Sequence, residues 1–209
     1  EISLGLVGSE MCIRDSTFYA YTPYNKDNTS AKAVAGVLSN SQLQSGTSNA
    51  HLTNTALMYA TAKSAEVETA VPMTFRHALG YLDISCKTSA KYVGWKVKSI
   101  EFSTEDGIAL AGDYKFDLTT SQFAIADGSS RIELRVDNAP ALVANEIFHG
   151  YMSMNPMDLS AKQCNVKVAI EKAGEDDLSL TGRSASVNIL AGGINTLNLA
   201  VSYTHLTLP

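Results

Sequence analysis

Two histidines carry the sharpest hint of chemistry in this 209-residue chain. His77 follows Arg76 in a long alternating run, and His149 stands in EIFHGYM three residues after Glu146, a spacing that could supply half of an acid–base pair. Sequence fixes no nucleophile or carboxylate pair beside either ring. His77 therefore reads as partly buried and bonded to backbone, His149 as packed against Tyr151, and His51, in a polar stretch, as solvated. No GxSxG turn offers a serine nucleophile. The glycines of AGGIN (residues 191–195) open no helix that could hold phosphate, so they read as a turn. Glu175, Asp176 and Asp177 lack the spacing and the bidentate glutamate of a calcium loop, and read as a solvated acidic turn. These residues predict no catalytic, cofactor or metal site, and the chain reads as a non-enzyme. Binding is the other chemistry on offer. Tyr19, Tyr21 and Tyr24, beside Phe18, are candidate glycan contacts because exposed tyrosines stack on sugar rings.

The elements that position these residues all have strand chemistry. In residues 71–87, VPMTFRHALGYLDISCK, Leu82, Ile84 and Cys86 alternate with Tyr81, Asp83, Ser85 and Lys87. That period of two marks a strand, or a kinked strand pair, with one buried face. Gly80 is a candidate bulge. Residues 17–23 alternate Phe18, Ala20 and Thr22 against Tyr19 and Tyr21. Residues 95–103 shift phase between Trp95/Val97 and Ile100/Phe102, which predicts a bulge. Asp106-Gly107 and Asp127-Gly128 are hairpin signals; residues 114–118 are expected to pair with 122–126. Ile132, Leu134 and Val136 should face inward, as should Cys164, Val166, Val168 and Ile170. Further strands are expected at 56–60, 146–154, 178–181, 185–190 and 196–200. Residues 24–54 almost lack large apolar side chains and read as a long surface excursion, with a short helix over 31–38. Short strands between turn signals, without an amphipathic helix, predict an all-β protein built as β-sandwiches. A boundary near residues 91–94 would separate a partial domain, 17–92, from a fuller one, 93–200.

Both ends stand apart. LVGSEMCIRDS and VSYTHLTLP resemble translated transposase-type sequencing adapter, so residues 1–16 and 201–209 are read as adapter-derived and set aside from fold reasoning. They are expected to make few core contacts. With the ends removed, the 16 Lys+Arg and 21 Asp+Glu lose Arg14 and Glu1, Glu10 and Asp15, which leaves 15 against 18 and a net charge of −3. An acidic balance argues against nucleic acid or an anionic membrane as partner. Apolar runs are too short to span a bilayer as helices. Cys86 and Cys164 fall at inward strand positions and read as buried free thiols rather than a disulfide.

An ordered set of segments carries a family likeness: FYAYTPY at 18–24, TALMYATAKSAE at 55–66, VPMTFRHALGYLDISC at 71–86, VKSIEFST at 97–104 and LAGGINTLNLAV at 190–201. Together they resemble the fimbrillin family, the type V pilin-like surface-fimbria subunits of Gram-negative anaerobes. Phe75, His77, Leu79, Leu82 and Ile84 match the family's structural motif; Met73 stands where Leu is usual, and Thr196 where an aromatic is. The resemblance implies two tandem transthyretin-like, Greek-key β-sandwich domains, the first incomplete here. It further implies an exported lipoprotein, held at the outer membrane by a lipid anchor upstream of residue 17, and assembly with other fimbrial subunits by strand donation. The alternative function is a glycan-binding surface lipoprotein that does not polymerise.

Overall fold

The computed structural model describes residues 5–7, 16–64, 70–184, 187–201 and 206–207. Its strands, in chain order, begin with β1 (Gly5–Val7), β2 (Ser16–Thr22), β3 (Val34–Leu38), β4 (Ser41–Ser45), β5 (Met58–Ser64) and β6 (Arg76–His77). Then come β7 (Gly80–Thr88), β8 (Lys96–Thr104), β9 (Ala111–Asp117), β10 (Gln122–Ser129), β11 (Arg131–Asp137) and β12 (Ile147–Met154). The last are β13 (Met157–Asp158), β14 (Cys164–Glu171), β15 (Leu178–Ser184), β16 (Asn188–Ile189), β17 (Ile194–Val201) and β18 (Leu206–Thr207). The helical elements among the described residues are two 3-10 turns, Ala50–Asn54 and Ala90–Tyr92. The all-β expectation therefore holds.

The largest sheet runs β12-β7-β17-β18-β15-β14-β8-β11-β4 and folds over into two layers. Gly150 of β12 shows the contact between them. A Cβ there would overlap the Cδ1 methyl of Ile100 on β8 and lie 3.3 Å from Leu134 Cδ2 on β11. Only a glycine lets the layers approach this closely. Leu82, Ile84 and Cys86 line the core from β7, Ile100 and Phe102 from β8, and Val166, Val168 and Ile170 from β14, each at most 2 % exposed. The inward rows expected for these strands and for β11 are thus in place. The phase shift in β8 is a real bulge: Ala169 pairs with Ser99 and Ile170 with Val97, so Lys98 is skipped. Two smaller sheets, β1-β2-β5-β6 and β10-β9-β3, pack on this body, and Tyr59 meets Phe116 edge-to-face between them, ring centroids 4.9 Å apart. The expected hairpin of β9 and β10 forms, Gln122 opposite Asp117. Tyr114 lies across Gly36, whose missing side chain makes room for the ring.

Four expectations need correction. The 31–38 segment is no helix: Val34–Leu38 is strand β3, held by Asn28, whose side-chain amide both donates to Ala35 O (3.1 Å) and accepts from Ala35 N (2.9 Å). The supposed excursion also supplies β4, which pairs in parallel with β11. Second, β7 is buried on both faces: Tyr81, Asp83 and Ser85 are 6 %, 7 % and 3 % exposed, on a strand with neighbours on either side. Third, Gly80 is a close-approach site against Ile189 beside a break in the strand, at Ala78-Leu79. Fourth, strands from both sides of residues 91–94 pair with one another. β3 joins β9, β4 joins β11, and β7 lies between β12 and β17, so the described residues do not separate into tandem sandwiches at that point. Of the adapter-like ends, residues 1–4, 8–15, 202–205 and 208–209 lie outside the described residues. Gly5–Val7 pairs with Tyr19–Tyr21 of β2, and Leu206–Thr207 sits between β15 and β17.

Candidate functional site

The register of β12 on β7 sets His149 opposite Ser85 and Tyr151 opposite Asp83. His149 Nδ1 lies 3.0 Å from both Asp83 carboxylate oxygens and 3.1 Å from Ser85 Oγ, which itself donates to Asp83 Oδ2 at 3.2 Å. Serine, histidine and aspartate thus meet, but not as a relay. A hydrolytic relay needs serine on one ring nitrogen and carboxylate on the other. Here both share Nδ1, so the group is a structural polar knot. The imidazole stacks on Tyr151, with centroids 5.9 Å apart and planes 8° apart, as expected, while Glu146 has no part in the pair. Burial, and then the Asp83 charge, push the Tyr151 phenol pKa up. Sequence reasoning missed Asp83 and Ser85 because alternation placed them on the water side.

His77 bonds a side chain rather than backbone: Nδ1 is 3.0 Å from the Tyr81 hydroxyl, the rings edge-to-face. Both border a cleft of about 730 Å³ lined by Leu52, Met58, Ile194, Asn49 and Asn54 among others. Among the described residues, His77 and Tyr81 are the ionisable groups that line it. Leu79, Leu82 and Ile84 are core, and Phe75 is half-buried in the extended stretch before β6. The glycan-contact expectation is corrected at Tyr21, which is fully buried with its hydroxyl donating to Asn25 O at 2.9 Å. Tyr19 is half-buried against the core, and Tyr24 alone of the three is exposed.

What this molecule chiefly presents is strand edges, and it treats them in two ways. The outer edge of β12 is capped by side chains. Gln44 donates through Nε2 to His149 O (2.8 Å) and accepts at Oε1 from Tyr151 N (2.9 Å). Gln42 does the same for Ser153, 2.7 Å to O and 2.9 Å from N. Between them His51 Nε2 reaches Tyr151 O at 2.9 Å, which requires the tautomer protonated at Nε2. His51 is therefore half-buried and bonded, not solvated. Both glutamines are buried and their second N–H groups go to Ser39 O and Gly46 O, so both donors of each amide are used.

Between β15 and β17 the treatment is opposite. β15 is bonded to β14 along Leu178–Ser184, and β17 to β7 along its whole length. On the sides that face each other, only Gly182 pairs with Leu206, and only Ala200 and Val201 with Thr207 and Leu206. The rest of this slot has no strand in it among the described residues. Its inner margin is apolar, with Leu178 and Leu180 half-buried and Leu197 and Leu199 buried. Among the described residues no histidine, cysteine and carboxylate groups cluster to hold a metal, and no helix is long and apolar enough to cross a membrane.

Comparison with known proteins agrees with this picture of a strand-built scaffold. The structure is similar to a proposed cell adhesion protein of Bacteroides ovatus ATCC 8483, with 16 % identity and a TM-score of 0.64 over 93 % of this chain and 66 % of that one. It also resembles a proposed cell adhesion protein of Bacteroides fragilis NCTC 9343, at 12 % identity and a TM-score of 0.50 over 93 % and 64 %. The chain thus spans somewhat less than two thirds of each. No curated protein matches it. The fimbrillin-like family model matches residues 13–208, nearly the whole sequence, and the chain belongs to the fimbrillin-like family.

Proposed function

We propose that this chain is part of a structural subunit of a cell-surface fimbria, which joins its neighbours by strand complementation and contributes to adhesion. One observation carries the reading: the slot between β15 and β17, which Leu206–Thr207 bridges as a strand at one end, whose remaining facing backbone has no strand partner among the described residues, and whose margin is apolar. Unpaired edges seek a strand, and β-augmentation is the mode by which an extended segment of another chain fills one. On the reading that residues 201–209 are adapter-derived, Leu206–Thr207 occupies a place meant for another strand. That strand would run parallel to β15 and antiparallel to β17, as Leu206–Thr207 does. Export through the periplasm and a lipid anchor at the outer membrane belong to the same proposal, resting on the family alone. With Tyr21 buried, the glycan-binding alternative rests on Tyr24 and the half-buried Tyr19.

The test is a chain ending at Val201, mixed with a labelled peptide of alternating valine and threonine. Saturable binding with a rise in melting temperature, both lost in Leu180→Asp, is the expected result. A truncated chain that stays monomeric and ignores every alternating peptide would refute strand complementation.

A further inference from the structure

We infer that the outer edge of β10 is a self-association surface whose partner is the β10 edge of a second copy. The contrast with the β12 and β3 edges motivates this. The β12 edge is closed by Gln42, Gln44 and His51, and the β3 edge is clipped at Ala35 by Asn28. β10 is bonded to β9 on one side, and on the other no side chain or backbone caps residues 122–126 among the described residues. Natural proteins blunt such edges with lysine, proline or very short strands. Gln122–Ala126 reads QFAIA, without charge or proline, and keeps an unbroken register with β9 until the irregularity between Ala126 and Ser129.

The stretch is also self-complementary. A two-fold axis through Ala124 makes an antiparallel pair, the only kind a two-fold can make between identical strands. It sets Phe123 opposite Ile125 of the second copy, and Gln122 opposite Ala126. Phe123 and Ile125 are both half-buried on the inner face, where Phe123 already meets Tyr114 and Phe116 at 5.4 and 4.6 Å between centroids. Pairing would continue that apolar row across the axis. On the outer face Ala124 meets Ala124, so no like charges oppose each other. The product is a six-stranded sheet, β3-β9-β10 joined to its own copy. It requires nothing of the slot between β15 and β17, which would serve a different contact.

The experiment is sedimentation of the full 209-residue chain over a range of concentrations, with Ala124→Lys and Ala124→Glu. Opposed residues of an antiparallel pair hold their Cβ atoms about 5 Å apart, so like charges placed on the axis repel. The unmodified chain should show a concentration-dependent dimer, each variant a monomer, and an equimolar mixture of the two a dimer again. That rescue also excludes misfolding as the cause of the loss. A chain monomeric at all concentrations, a dimer that Ala124→Lys leaves intact, or a mixture that stays monomeric would each overturn the inference.

Discussion

Replacing Gln44 by leucine measures how much a strand edge depends on a single amide. The side chain is wholly buried and makes three bonds, to Gly46 O at 3.0 Å, His149 O at 2.8 Å and from Tyr151 N at 2.9 Å. Leucine has similar volume but no polar atom, so the N–H of Tyr151 and the carbonyl of His149 lose their partners. Each stranded group costs about 1–3 kcal/mol when buried. Both residues are half-buried, so water recovers part of that, and the expected loss is about 2–4 kcal/mol. With a urea slope of about 2 kcal/mol/M, the unfolding midpoint should fall by about 1–2 M. Gln44→Glu adds a sign test. One carboxylate oxygen still accepts from Tyr151 N but the other, in place of Nε2, faces the carbonyls of Gly46 and His149, so the fold favours the protonated acid and its pKa should lie above the unfolded value of about 4.3. Stability that depends on the proton is present below the unfolded pKa and lost as pH rises through the folded one. The variant should therefore approach the parent at pH 4 and fall away by pH 7. A Gln44→Leu midpoint within 0.2 M of the parent, or a Gln44→Glu penalty flat in pH, would refute the claim that this edge is held by hydrogen bonds (thresholds on the order of measurement error).

Asn28→Ala should cost about 1 kcal/mol in chemical denaturation, because Ala35 loses both bonds to the buried Asn28 amide while its own exposed backbone recovers part of the loss from water. Gly150→Ala should lower stability by about 1–3 kcal/mol through overlap with Ile100, and Ile100→Val in the same chain should return part of it. Burial, with Asp83 adding to it, pushes the Cys86 thiol up to about 12; burial, with Asp106 and Glu105, pushes Cys164 to about 11. Mass-mapped alkylation at pH 8 should leave both unmodified in the folded chain and label both in denaturant, since the thiolate is the reactive form. Early labelling of Cys86 would contradict the packing of β7. The same thiols favour the fold below their ordinary pKa near 9, and that contribution should fade as pH rises toward 11–12.

Strands whose burial is hydrophobic were legible from sequence alone. β14 was readable to the residue, from Cys164 through Ile170, and the shift from Val97 to Ile100 disclosed the bulge in β8, because in both an apolar row faces one core. β4 was not, since its inward residues are Gln42 and Gln44, buried by hydrogen bonds that a hydropathy pattern does not register. Asp83 and Ser85 were misplaced for a related reason. Alternation says which residues share a face, but not that the second face is covered too. Tyr21 fell to the same limit, since the aromatic pattern of FYAYTPY was correct while its exposure was decided by neighbours distant in sequence. The slot between β15 and β17 could not be read at all, because an unfilled position leaves no mark in the residues that border it.

The placement of β7 has a consequence for how the chain reaches this state. Tyr81 lies beside Ile194 in a parallel ladder, and its other neighbour is Ser153. Such distant ends meet only after a long loop has closed, at an entropic cost that local contacts cannot offset early. During synthesis the Leu82-Ile84-Cys86 row therefore emerges well before either flanking strand exists. A nascent chain stalled before residue 194 lacks this partner of β7 and should be open to proteases and chaperones, with the β7 ladder forming only once residues 194–201 have been made.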